Sequence, residues 1–185
     1  KATIDELAPA VEIETIPNAV DSSVFSPQHF DAQLRSRFAT PQELLVAHVS
    51  NFRPVKKVCD VISAFAIGAK DLPARLLMIG QGPELGLAQE RARELGVFDR
   101  ISWLGLIDDV TVLLASSDLF LLPSESESFG LAALGAMASG LPVVSTRSGG
   151  IPEVVLEGQT GLLSEVGDVE SLAAHCHRLL TDDAL

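Results

Sequence analysis

Six short, mainly apolar runs recur along the chain between residues 44 and 164. They occupy 44–49, 75–79, 101–104, 119–122, 143–145 and 161–164. Runs of this length without polar alternation are typical of strands that are buried on both faces. The pattern therefore predicts a sheet of six short strands that is covered on each side.

Segments with helical spacing separate these runs. After the first run, Val58, Ile62 and Phe65 recur at the spacing of one helix face. Gly96 and Gly140 end two of the predicted helices, as glycine commonly does. The predicted helices cover 58–66, 85–95, 108–116, 129–139, a short segment that opens at 149–152, and 168–180.

Strands that alternate with helices at short intervals imply βαβ units and a parallel sheet. The predicted fold class is α/β, a doubly wound Rossmann-like domain over residues 41–185. Residues 1–40 are assigned to an entry strand at 12–16 and a linker with turns at 17–21 and 25–27. The chain starts at Lys1 rather than at Met, so we expect it to be a piece of a longer protein.

Composition narrows the class of partner. The 185 residues include 13 Lys and Arg against 25 Asp and Glu, a net charge of −12. This excess of acid disfavours nucleic acids and anionic membranes as partners, because both attract basic surfaces. No apolar run reaches the roughly 18 residues that a membrane span needs. Cys59 and Cys176 lie far apart without a CxxC pattern, so we predict reduced, packed thiols and a cytoplasmic protein.

Residues 50–57, which we call the basic loop, follow the first predicted strand. This loop contains Arg53, Lys56 and Lys57 and no acidic residue. It leads into a helix, whose amino terminus offers free N–H groups and a partial positive charge. The placement favours a phosphate site, and a solvated basic loop is the alternative.

Residues 123–131, the serine-rich loop, follow the fourth predicted strand and lead into another helix. Backbone N–H groups at 129–131 are expected to be unpaired, and Glu127 is placed to accept hydrogen bonds from sugar hydroxyls. The alternative is an ordinary helix start. Ser126 or Ser128 would then be the N-cap, and the Glu127 carboxylate would interact favourably with the helix dipole. The glycine turn at 80–82 is a weaker candidate, because glycine ends many strands for steric reasons.

Other chemistry lacks support. His175 and His177 stand two positions apart and do not share a helix face, so a metal site there is disfavoured. Acidic residues at 108–109 and 168–170 are interpreted as helix starts. No GxSxG, HExxH or paired Cys/His cluster is present, which disfavours a serine hydrolase and a zinc enzyme.

Taken in order, these segments resemble the C-terminal domain of a GT-B fold glycosyltransferase of the large retaining family 4. They cover nearly the whole chain from Ile16 onward. Within that family, 50–57 and 124–130 are most similar to the enzymes that join N-acetylglucosamine to L-malate in bacillithiol synthesis. The matching segments are IPNAVD (16–21) with Phe25 nearby, the basic loop to Lys56, IGQGP (79–83), WLG (103–105), LPSESESFGL (122–131), AMASGLPVV (136–144) and GGIPEV (149–154).

The resemblance implies that the chain binds a nucleotide-sugar donor, usually a UDP-sugar. Lys56 would contact the diphosphate, and Arg53 would replace a family arginine that often stands at the position of Asn51. Glu127 matches the first Glu of the family's Glu-x7-Glu motif, expected at the donor sugar. No cofactor or metal is expected. The other implied donor-binding residues are Ser50, Asn51, Gly80, Gly82, Leu104, Gly105, Ser128, Phe129, Gly130 and Leu131.

One residue departs from the family pattern. The second Glu of the motif, which the family is expected to use to hold the ribose hydroxyls, falls at Gly135. Its loss removes charge-assisted hydrogen bonds worth roughly 1.5–3 kcal/mol. We therefore expect weaker nucleotide binding unless another group holds the ribose.

The resemblance implies a hexosyltransferase that retains the anomeric configuration. The small-molecule or glycan acceptor would be held mainly by an N-terminal domain of the same protein, and this chain alone is expected to turn over little or nothing. Two alternatives stay open at this point. One is a non-catalytic nucleotide-binding domain, which Gly135 favours, and the other is a GT-B fold sugar-nucleotide epimerase.

Overall fold

The computed structural model of the protein describes residue 14 and residues 16–182. Its six strands form one parallel sheet in the order β3-β2-β1-β4-β5-β6. All six predicted strands are confirmed, with ends that move by at most one residue. The strands are β1 Leu44–Val49, β2 Ala74–Ile79, β3 Ile101–Gly105, β4 Leu119–Leu122, β5 Val143–Thr146 and β6 Gly161–Ser164.

Seven α-helices and three short 3-10 helices occur within the described residues. The α-helices are α1 Ala32–Arg35, α2 Val58–Gly68, α3 Leu85–Glu94, α4 Thr111–Ala115, α5 Leu131–Ala138, α6 Ile151–Val154 and α7 Val169–Thr181. The 3-10 helices are Pro27–His29, Pro54–Lys56 and Phe98–Arg100. Sequence analysis missed α1, a four-residue helix that Asp31 caps by accepting the amides of Gln33 and Leu34.

Two helices begin later than predicted, each for a local reason. The helix expected from residue 108 begins at Thr111, because the Asp109 carboxylate accepts both the amide and the hydroxyl of Thr111 at 2.9 and 2.6 Å. The helix expected from residue 129 begins at Leu131, because Gly130 has a left-handed backbone with φ of 93°. The strand predicted at 12–16 lies mostly outside the described residues.

Helices cover both faces of the sheet, as a doubly wound fold requires. Alternate residues of a strand point to opposite faces. In β1, Val46 packs with α2, α3 and α7, whereas Ala47 packs with α4, α5 and α6. Both layers bury apolar side chains completely, which explains why the strands are unbroken apolar runs.

The segment before the sheet packs onto the same domain. Phe25 joins the cluster that includes α5, and Leu34 joins the one between β2 and α4. The Arg35 guanidinium donates to the Ser116 carbonyl at 2.6 Å and to the Asp118 carboxylate at 2.7 Å. This part of the chain is therefore held against α4 and β4.

Both cysteines are free thiols. Cys176 lies in the core between α7 and α2, and burial raises its pKa to about 12. Within the described part of the chain, no helix has the length and apolar character needed to cross a membrane.

The close contact between α2 and α7 predicts that a side chain at Gly68 destabilises the protein. A Cβ at Gly68 would lie 2.4 Å from the Ala173 carbonyl oxygen and 3.1 Å from the Cys176 Cβ. Gly68→Ala should therefore destabilise the protein by about 1–3 kcal/mol. Urea unfolding followed by circular dichroism measures the change.

Gly86→Ala is the matched control in α3. An added Cβ there meets no atom within 4 Å, so removing a flexible helical glycine should stabilise the protein by about 0.4–1 kcal/mol. Equal unfolding midpoints for Gly68→Ala and wild type would show that the close approach of α2 and α7 is wrong.

Candidate functional site

A cleft lies at the carboxyl edge of the sheet between β1 and β4. This is where the strand order reverses direction, and ligands of doubly wound domains bind at such a point. The cleft has a volume of about 390 Å³. Its lining residues are Asn18, Val49, Ser50, Asn51, Lys56, Glu127, Ser128, Phe129, Gly130, Leu131 and Ala132.

The basic loop and the serine-rich loop meet across this cleft. The amide of Glu125 donates to the Val55 carbonyl at 2.8 Å. The Lys57 ammonium lies 3.0 Å from the Glu125 carboxylate, in a largely solvent-exposed pair. The two loops are therefore in direct contact at one edge of the sheet.

Lys56 and Glu127 form the central ion pair of the cleft. Nζ of Lys56 lies 2.5 Å from Oε1 of Glu127, with side chains that are 20% and 11% exposed. The same carboxylate oxygen accepts the Ser124 hydroxyl at 2.8 Å. Oε2 of Glu127 has no hydrogen-bond partner among the described residues. The pair thus leaves one carboxylate oxygen for a hydroxyl-bearing ligand.

Unpaired backbone amides also line the cleft. The N–H groups of Phe129, Gly130 and Leu131 have no acceptor within the described part of the chain. They stand at the amino end of α5, where the helix dipole adds a partial positive charge. Together with the Lys56 ammonium, they provide several hydrogen-bond donors for an anion in one cleft.

A third loop fixes the position of the serine-rich loop. The hydroxyls of Thr146 and Ser148 both donate to the Ser124 carbonyl, at 2.5 and 3.0 Å. The Gly150 amide donates to the Glu127 carbonyl at 2.9 Å. At Gly149, which has φ of 52°, a Cβ would lie 1.7 Å from that same carbonyl oxygen. The glycine pair therefore permits the close approach that places Glu127.

Sequence reasoning missed His48, a fully buried residue beneath the cleft. Its Nδ1 lies 2.8 Å from the Leu121 carbonyl, and its Nε2 lies 2.8 Å from the Ser50 hydroxyl. A carbonyl only accepts, so Nδ1 carries the proton and Nε2 accepts from Ser50. Burial, and to a lesser degree the Lys56 charge, lowers the His48 pKa to about 4. The available signal was a histidine inside an otherwise apolar strand.

Several predicted residues lie outside the cleft lining. Gly80 and Gly82 press against the basic loop instead: added Cβ atoms would lie 1.8 Å from the Ser50 carbonyl oxygen and 2.1 Å from that of Asn51. Their lack of side chains shapes that loop. Leu104 packs beside the cluster that contains Ile79. Two more predicted residues lie outside the cleft lining. The Gly105 carbonyl accepts the Gly80 amide, and Arg53 is exposed.

Two further positions change the expected picture. Asn18, which sequence reasoning placed only in a family segment, lines the cleft with an exposed side chain.

Gly135 is buried in α5 and faces the ring of Phe25, which an added Cβ would meet at 2.9 Å. A carboxylate introduced at residue 135 would have to displace this ring. The ring explains how α5 accommodates the glycine.

The parallel sheet and the position of the cleft define a doubly wound, Rossmann-like α/β domain. Residues 30–185 match the family described as glycosyl transferases group 1. The chain belongs to this family.

Relatives and solved structures agree with this assignment. The chain is 43% identical to N-acetyl-alpha-D-glucosaminyl L-malate synthase of Bacillus anthracis over 99% of its length and 48% of that protein. It is 36% identical to sulfoquinovosyl transferase SQD2 of Arabidopsis thaliana over 88% of its length and 32% of that protein. The chain thus spans at most about half the length of these curated relatives.

The fold matches that of a solved structure with bound ligands. The Anabaena protein Alr3699/HepE, crystallised with UDP and glucose, superposes with a TM-score of 0.82 at 28% identity. The match covers 91% of this chain and 47% of that one.

The buried His48 predicts a loss of stability at acid pH. Its folded pKa is lowered to about 4 from an ordinary value of 6.5, so the unfolded state binds more protons between these values. The free energy of unfolding should therefore fall as the pH drops through this window, by up to about 1.4 kcal/mol per unit. Urea unfolding of wild type and His48→Asn measures this, and the variant should show the flatter profile. Parallel profiles would contradict a buried neutral His48.

Proposed function

We propose that this chain is the donor-binding half of a retaining hexosyltransferase that uses a UDP-sugar, with UDP-N-acetylglucosamine as the donor. The observation that supports it best is the convergence of Lys56 and the free amides of 129–131 on one cleft. The Anabaena neighbour was crystallised with UDP and glucose, and the Bacillus anthracis relative is named for an N-acetylglucosaminyl product.

The proposed chemistry starts with an exchange of partners at Lys56. A bound diphosphate replaces the Glu127 carboxylate as the partner of the Lys56 ammonium, and the amides at 129–131 donate to the phosphate oxygens. Negative charge grows on this phosphate as the bond to the sugar breaks. Fixed donors that already point at that position stabilise the transition state without reorganising.

Glu127 takes a second role once Lys56 has exchanged partners. Its carboxylate, still held by the Ser124 hydroxyl at 2.8 Å, accepts hydrogen bonds from the hydroxyls of the donor sugar. This orients the sugar above the phosphate. The departing phosphate then helps to deprotonate the acceptor on the same face, which gives retention.

We propose that the acceptor is held outside this chain, which covers 48% of the Bacillus anthracis relative. We propose L-malate as the acceptor, by analogy with the name of the Bacillus anthracis relative, which is about twice as long as the matched region. An N-terminal domain would hold it across the cleft. The expected measurement is transfer to L-malate by the longer protein and little turnover by this chain alone.

A non-catalytic nucleotide-binding domain is the second candidate, and Gly135 favours it. The residue leaves the ribose without the carboxylate of the family motif, and Phe25 fills the space beside it. Assays of the longer protein would distinguish the two candidates. Both would bind UDP, and only the transferase would consume the donor. The match to glycosyl transferases favours transfer over an epimerase.

In the proposed site, protein groups neutralise the charge of the diphosphate, and no metal or cofactor is required. We also propose a cytoplasmic location for the protein. UDP affinity should be unchanged by EDTA, and a loss of binding on chelation would contradict this part of the proposal.

Lys56→Ala is expected to weaken UDP binding about 10- to 100-fold in calorimetry, because it removes a charge-assisted contact to the diphosphate. It also leaves the Glu127 carboxylate unpaired in the cleft, where it repels the ligand. Adding Glu127→Gln to Lys56→Ala should recover part of the loss.

Lys70→Ala is the matched control, because Lys70 is an exposed lysine at the far end of α2. Its UDP affinity should equal that of wild type. A folded wild-type chain that binds neither UDP nor UDP-N-acetylglucosamine at millimolar concentration would overturn the donor site.

A further inference from the structure

β1 and β4 separate at the point where the donor loops begin. Backbone pairing between these strands covers Val46 with Leu119 and Ala47 with Phe120. By contrast, β1 pairs with β2 as far as Val49 with Ile79. The next residue of β1 is His48, and the next residue of β4 is Leu121.

The His48 side chain bridges this gap. Its Nδ1–H donates to the Leu121 carbonyl at 2.8 Å, and its Nε2 accepts the Ser50 hydroxyl at 2.8 Å. Leu121 lies just before the serine-rich loop, and Ser50 is the first residue of the basic loop. One imidazole thus joins the bases of both donor loops.

The basic loop needs such a restraint because its backbone is unusual. Phe52 and Lys57 have φ of 39° and 51°, a region that residues other than glycine rarely adopt. The Ser50 hydroxyl oxygen also accepts the Phe52 amide at 3.3 Å. His48, Ser50 and the Phe52 amide therefore form a continuous chain of hydrogen bonds into the loop that contains Lys56.

We propose that His48 is a positioning residue, which through Ser50 holds the basic loop at the distance from the serine-rich loop that a diphosphate requires. The residue does not act on the ligand, since it is fully buried and both ring nitrogens are engaged. The role in donor binding rests on the proposed function, whereas the role in loop geometry does not.

The test uses three variants of this chain. Ser50→Ala removes the hydroxyl, Ser50→Thr keeps it, and His48→Asn keeps a donor toward Leu121 but is too short to reach Ser50. UDP affinity is measured by calorimetry. The amide resonances of the basic loop are measured by NMR without ligand, which reports loop geometry even if UDP is not the ligand.

Ser50→Ala and His48→Asn should each weaken UDP binding about five- to twentyfold, as expected for the loss of one buried hydrogen bond. Both should shift the resonances of Asn51 and Lys56, and Ser50→Thr should restore them. The double variant should bind no more weakly than the weaker single variant, because both changes remove the same bond.

The matched controls lie away from the cleft. Ser117→Ala loses one hydrogen bond to the Leu113 carbonyl, and His177→Asn, like His48→Asn, keeps a donor toward a backbone carbonyl, here that of Gly68. Neither should change UDP affinity or the resonances of the basic loop.

Unmoved loop resonances with wild-type affinity in Ser50→Ala and His48→Asn would overturn the inference, as would additive losses in the double variant. If His48→Asn does not fold, Ser50→Ala decides the question. If wild type binds no UDP, the proposed function fails, and the loop resonances still decide the role of His48.

Discussion

An ion pair between Lys56 and Glu127 is the contact on which the candidate site depends. Its two residues stand on loops that are remote in sequence, and the sheet brings them together because β1 and β4 are neighbours at the point where the strand order reverses. The pair brings both charges together. It also keeps the ammonium in the same cleft as free amides that favour an anion.

The cleft keeps this geometry because neighbouring backbone and the His48 side chain contact each loop. On one side, Gly149 and Gly150 let their backbone touch the carbonyl of Glu127. On the other, Gly80 and Gly82 let theirs touch the carbonyls of the basic loop. His48 lies between these supports and hydrogen-bonds toward both loops. The residues that line the cleft are thus positioned by others that do not line it.

The fold was predictable because its signal is local. Buried parallel strands need apolar runs and their helices need caps and glycine ends, so the six strands and most helices follow from the residues themselves. The contact between the basic loop and the serine-rich loop was also predictable, because the carboxyl ends of strands in a doubly wound sheet meet at one edge.

What the sequence did not predict depends on neighbours that are distant in the chain. His48 looks like one polar residue in a strand until Leu121 and Ser50 are placed around it. From the sequence, Gly135 is only the loss of a motif carboxylate. In the structure, the Phe25 ring packs against it. The sequence also did not show that Gly80 and Gly82 lie against the backbone of the basic loop.

The proposed function depends on whether Lys56 and the amides of 129–131 bind one diphosphate. A crystal structure of this chain with UDP would show this. We expect the β-phosphate within about 3 Å of these amides and of the Lys56 ammonium, with Glu127 released from Lys56. A diphosphate bound elsewhere, with the Lys56–Glu127 pair intact, would contradict it.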